Sequence, residues 1–235
     1  CELTVFAGTG DGNLATSGWN ADASGANWSP LPLELLPNAR RSASLLAVGT
    51  DRLWLAGGLG AGNEIQPEVW QATLGDNTTW SQFPYAFPSV VDAAIAFRPD
   101  DETVYVHGGK DSEGVESSTL WSWSPVLGAV VASTSLPAAS NHAIIWDVNE
   151  ARILGHHAGL LWTWDPASDV FGALPTSGAS PGSTDGHRLF LNEAGDTLYL
   201  LDSSQDGLWS LSIQTGEWST VATGLTIPKA APVWR

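Results

Sequence analysis

Eight polar side chains carry most of the chemistry this sequence could offer: Arg40, Arg41, Asp92, Asn141, His142, Asp185, His187 and Lys229. They follow a recurring proline. Four residues past Pro37, Pro88, Pro137 and Pro181 stand Arg41, Asp92, Asn141 and Asp185. Oxygens from Asp92, Asn141 and Asp185 are the donors a hard cation accepts, but nothing local has the spacing of a calcium loop, so no bound cation is expected. His156-His157 could ligate a metal, yet neighbours on a strand point to opposite faces, so the two do not chelate together. No third ligand accompanies them, and neither a metal nor another cofactor is predicted. The acids of Asp100-Asp101-Glu102 and of residues 111–116 read as solvated turns. A glycoside hydrolase needs two placed carboxylates, for which only Asp92 and Asp185 stand out. No nucleophile elbow, phosphate loop or metalloprotease motif occurs, and no catalytic residue is predicted. The eight residues are expected to form a binding site.

Composition narrows the partner. The 235 residues carry 25 acids against 9 bases, a formal charge of −16. Neutralising phosphates takes Lys and Arg, so nucleic acid is excluded. Adhesion to anionic lipid is disfavoured for the same reason. Thirteen Trp, 25 Gly and 14 Pro suit many short strands joined by turns and suit a helical bundle badly. No apolar run approaches the ~20 residues of a membrane span.

The chain lacks Met, and its only Cys is Cys1. That rules out a disulfide framework, Cys-based zinc sites and buried thiol catalysis. A chain beginning at its sole Cys resembles a mature bacterial lipoprotein, acylated at Cys1 after removal of a signal segment. The expected location is extracytoplasmic, in the periplasm or at the cell surface, with membrane contact only through the lipid. The triplets Asn27-Trp28-Ser29 and Asn77-Thr78-Thr79 leave a glycosylated secreted protein as the alternative.

A repeat organises the chain. Strands centred on Phe6, Leu55, Val106, Leu154 and Leu200 recur at spacings of 49, 51, 48 and 46 residues. Each is followed by a Trp-bearing strand at Trp19, Trp70, Trp121, Trp162 and Trp209, then by a third at Trp28, Trp80, Val130, Phe171 and Trp218. The proline opens a link to a short apolar strand, at 44–48, 93–97, 143–146, 188–191 and 230–234. This period is that of a four-stranded propeller blade. The prediction is therefore an all-β, single-domain, five-bladed propeller over residues 1–235, with repeats near 1–37, 38–88, 89–137, 138–181 and 182–235. Residues 230–234 would complete the N-terminal blade and close the ring, which removes exposed edges.

Most Trp residues are expected to pack between blades. Burying ~150–250 Å² each contributes roughly 4–6 kcal/mol before entropy, at ~25 cal/mol/Å². Trp123 and Trp164 are expected on the sheet face opposite Trp121 and Trp162. Trp54 and Trp146 fit the pattern less clearly.

Gly57-Gly58 and Gly108-Gly109 end their strands, with Trp70 and Trp121 each 13 residues after the first Gly, and Thr215-Gly216-Glu217-Trp218 closes the last repeat. This resembles the kelch motif, although only two of five repeats carry the double Gly and kelch rings usually have six or seven blades. In architecture alone, a five-bladed ring of this repeat length is similar to the tachylectin-like lectins. The segment Ser203-Ser204-Gln205-Asp206-Gly207-Leu208-Trp209 is faintly similar to a sialidase Asp-box. Copper radical oxidases with a kelch-like ring need a tyrosine–cysteine pair, which a lone Cys1 excludes.

The function expected is a non-enzymatic interaction module, an accessory subunit of a cell-envelope complex anchored through Cys1. A carbohydrate-binding, lectin-like propeller is the alternative, with a glycan in place of the protein partner.

Overall fold

Aromatic and β-branched runs broken by Gly, Asn and Asp dictate strands joined by tight turns. Every regular element in the structure, a computed structural model, is a strand. The described residues are 3–10, 13–21, 28–30, 37–38, 40–74, 79–182, 187–202 and 207–224, the first three segments as backbone strands. Among them there is no helix.

The N-terminal repeat contributes β1 (Leu3–Gly10), β2 (Asn13–Ala21) and β3 (Trp28–Pro30), an antiparallel three-stranded sheet. Four antiparallel blades follow, each running from its innermost strand outward. Blade I holds β4 (Ser44–Val48), β5 (Arg52–Ala56), β6 (Val69–Thr73) and β7 (Thr79–Gln82). Blade II holds β8 (Ala94–Arg98), β9 (Thr103–His107), β10 (Leu120–Ser124) and β11 (Gly128–Ser133). Blade III holds β12 (Ala143–Asp147), β13 (Arg152–His157), β14 (Leu160–Asp165) and β15 (Val170–Ala173). The short β16 (Ser177–Gly178) comes next. Blade IV holds β17 (Arg188–Leu191), β18 (Thr197–Asp202), β19 (Gly207–Ser212) and β20 (Glu217–Ala222), with β16 added parallel to β20 at the outer edge. The first strand of blade III lies beside those of blades II and IV, giving a propeller arrangement. Four blades are described, against the five the repeats predict. Residues 230–234, expected to complete the sheet of β1–β3, lie outside the described residues.

Burial follows position in the blade. The second strands β5, β9 and β13 are buried on both faces, and for β9 and β13 a neighbouring blade stands on each side. The outer strands are largely exposed.

Apolar wedges fill the joints. Between blades I and II, Trp54 is fully buried and meets Phe83, Phe97 and Trp123 edge-on at 5.3, 5.9 and 5.6 Å, while its indole N–H donates to Gln71 Oε1 at 2.9 Å. Between blades II and III, Tyr105 stacks on Trp146 at 5.6 Å, beside Leu120, Trp162 and Trp164. Between blades III and IV, Leu154 and Leu161 meet Leu198, Leu200, Trp209 and Leu211. Trp54 and Trp146 are thus core residues.

One expectation about the Trp pairs is corrected. Trp121 and Trp123 pack into the same cluster, as do Trp162 and Trp164. Residues two apart on a strand return to one face, so the members of each pair share a face.

Gly155 shows how tight the wedge is. It stands opposite Trp162 in the ladder, and a Cβ there would lie 2.1 Å from the indole. Gly155→Ala should cost about 2–3 kcal/mol as overpacking, read as a lower urea midpoint at unchanged slope. Gly49→Ala, at φ +65° with nothing within 4 Å, should cost only about 1 kcal/mol of backbone strain.

Candidate functional site

Adjacent strands run antiparallel, so the lead-ins to the first strands share one mouth with the loops between second and third strands. At the lead-ins of blades I, II and III the backbone makes a left-handed bend: Ser42 at φ 54°, Asp92 at 55°, Asn141 at 52°. Asn and Asp enter that region most easily among residues bearing a Cβ. The recurrence of Asp92 and Asn141 thus has a backbone cause. In blade I the equivalent position is Ser42, one residue beyond Arg41. The lead-ins of blades II and III touch, the Asn141 N–H donating to the Asp92 carbonyl at 3.0 Å.

The structure places the expected site residues in distinct settings. Arg40 is buried; it donates to the carbonyls of Gly57 at 3.0 Å and Asn38 at 3.1 Å, and faces Glu68 at 3.4 Å. Burial lowers its pKa, and Glu68 opposes that shift. Arg41 donates to the Asn63 side chain. Asp92 is half-buried and Asn141 exposed. His142 and His187 are buried inside blade joints. Cys1, Asp185 and Lys229 lie outside the described residues. Of the eight candidates, only Arg41, Asp92 and Asn141 are both described and within reach of solvent at the mouth.

The two double glycines do the same work in both blades. Gly58 (φ +99°) and Gly109 (φ +83°) would carry a Cβ within 2.8 and 2.7 Å of the Arg41 and Val91 carbonyls. The glycines let each loop pair with its lead-in, through the bridges Arg41↔Leu59 and Val91↔Lys110. In blade III a two-residue turn replaces the long loop, with Ala158 (φ 51°) and Gly159 (φ 77°) both left-handed as a type I′ hairpin requires. Beneath the blade II loop runs a groove of about 520 Å³ lined by Pro88, Val90, Asp111, Glu116 and Trp121.

The sequence reading missed His107, and with it the pairing of the histidines. His107 Nδ1 lies 2.7 Å from His142 Nε2, and His156 Nδ1 lies 3.1 Å from His187 Nε2. Each pair bridges successive blades, and the four rings are buried. The signal was the register: His107 and His156 face Ala94 and Ala143 at equivalent rungs. Burial, with a smaller contribution from His157, depresses the pKa of His107 to about 4, and the nearby Pro137 carbonyl opposes the shift. Burial and the neighbouring histidines lower His142 to about 2 and His156 to about 3. All three are neutral at pH 7. Among the described residues no three His, Cys, Asp or Glu side chains gather to hold a metal ion.

Set against known proteins, the chain matches no family model and no curated protein.

Buried and surface charges should respond differently to truncation. Arg40→Ala, which leaves the Gly57 carbonyl without its donor, should cost about 2–4 kcal/mol. Arg52→Ala, which removes the solvent-screened bridge from blade I to Glu102 of blade II, should cost under about 1 kcal/mol. Urea unfolding at pH 7 separates the two.

Proposed function

We propose that the chain is a non-enzymatic interaction propeller, an accessory subunit of an extracytoplasmic cell-envelope complex that docks on a protein partner. The observation that carries this reading is the outer edge of blade II. In β11 and the turn before it, Val126, Leu127, Val130 and Val131 are 74, 73, 50 and 56% exposed. Among the described residues the strand has a neighbour on one side only, and it bears no charged residue. Natural proteins guard such edges with Lys, Pro or a covering segment, and an unguarded apolar edge is a template for an added strand. In blade IV the corresponding edge carries β16.

The ring belongs to the same proposal. Beside the joint with blade II, blade I has a second buried apolar surface: Leu53, Leu55, Ala72 and Trp80. A fifth blade built from β1–β3 and residues 230–234 is the natural cover for it. The kelch-like character rests on Gly57-Gly58 and Gly108-Gly109, and tethering through Cys1 completes the reading.

Val130→Lys should abolish capture of the partner in pull-downs from membrane extracts while moving the melting temperature by less than about 3 °C, as a surface substitution does. Native mass spectra of such extracts that contain only free monomer would sink the reading. Intact mass tests the tether separately: acyl chains on Cys1 support it, and a bare Cys1 removes it.

A second reading, a lectin, is favoured by the groove beside Trp121, where an aromatic wall and the acids Asp111 and Glu116 meet. It predicts glycan-array binding that Trp121→Ala abolishes; silence across a broad array would end it.

A further inference from the structure

The chain has five histidines, and all of them lie along two successive blade joints. His107 of β9 meets His142 at the lead-in to β12, and His156 of β13 meets His187 at the lead-in to β17. His157 stands between the pairs, its ring 5.8 Å from that of His142. The corresponding rung between blades I and II is occupied differently. There Ala56, which faces Ser44 as His107 faces Ala94, and Ala93, which precedes β8 as His142 precedes β12, belong to one apolar cluster. One joint is closed by alanines and two by imidazoles.

Proton positions follow from the acceptors. His187 Nε2 lies 3.0 Å from the His156 carbonyl as well as 3.1 Å from His156 Nδ1. A carbonyl only accepts, so His187 Nε2 carries the hydrogen and His156 Nδ1 is a bare acceptor. In the other pair one ring nitrogen donates to the other across 2.7 Å, and His107 Nε2 is buried without a partner. A second proton on the accepting nitrogen of either pair, His156 Nδ1 in one of them, would therefore face a donor and break the bond. One added to His142 Nδ1 would be buried without an acceptor. The charged groups that bear on the rings of His107, His142 and His156, among the described residues, are other histidines; beside His187 the fully buried Asp202 ends β18, one rung beyond the Arg188↔Leu201 pair. The rings of Trp162 and Trp218 lie edge-on to His107 and His156.

We propose that the two histidine pairs form an acid-sensitive seam, so that mild acid loosens the joints on either side of blade III and leaves the joint between blades I and II closed. The sign follows from linkage. Histidines whose folded pKa is depressed below the ordinary 6.5 stabilise the fold fully above that value and lose this contribution as pH falls from there toward the folded values. Each adds about tenfold per pH unit to the unfolding constant in that window. Ordinary carboxylates titrate near 4, so the interval from pH 6 to 5 isolates the histidines.

The test is urea unfolding of the full chain at pH 7.5, 6 and 5, with hydrogen exchange read by mass spectrometry at the same pH values. The expected result is an unfolding constant that rises at least about a hundredfold per pH unit between 6 and 5. Exchange, corrected for its intrinsic pH dependence, should accelerate in β12–β15 and β17 before it does in β5 and β6. H107A/H142A, which copies the alanine joint already present in the chain, should lower that slope by about two protons. Ring-nitrogen NMR of the wild type follows the same titrations without a variant. Rings that titrate near 6.5 would overturn the proposal, as would a slope unchanged in H107A/H142A or exchange that accelerates equally in all blades.

Discussion

A four-stranded sheet of this composition has apolar side chains on both faces and can bury neither alone. Each blade is stable only because its neighbours cover it, and the wedges of Trp, Tyr and Leu in the joints provide most of that cover. The consequence runs through every level of the structure. The second strands β5, β9 and β13 are buried without alternation, since neither face meets water. Glycine is required where an indole lies flat on the ladder, as at Gly155. Polar groups that fall within a joint must find partners there or cost free energy, which is how Arg40 comes to be spent on the Gly57 and Asn38 carbonyls.

The histidine pairs obey the same constraint. Hydrophobic packing is tolerant of small slips between sheets, whereas a hydrogen bond of 2.7 Å between two buried rings is not. The joints flanking blade III therefore carry a directional contact that fixes the register of one blade against the next. The joint between blades I and II does without one and has the densest aromatic cluster instead.

Much of this architecture was legible in the residues. The aromatic positions Trp70, Trp121, Trp162 and Trp209 mark one strand per blade because a wedge must recur wherever a joint recurs. Counting from proline placed Asp92 and Asn141 at equivalent bends but landed on Arg41 in blade I, one residue short of Ser42, because only the backbone angle defines that point. The pairing of His107 with His142 was invisible, since the partners are 35 residues apart and belong to different repeats. The strand β16 was equally hidden: two residues of no particular propensity pair with β20 only because the link happens to pass that edge.

The double glycines and the type I′ turn also decide the outline of the mouth. Blades I and II raise loops of residues 57–68 and 108–119 around it, while blade III ends in the two residues Ala158 and Gly159. The rim is consequently walled over one sector and notched over another. Among the described loops, a bulky visitor descending on this mouth meets the acidic wall of blade II on one side and finds clearance above blade III, where exposed Leu160 forms the sill.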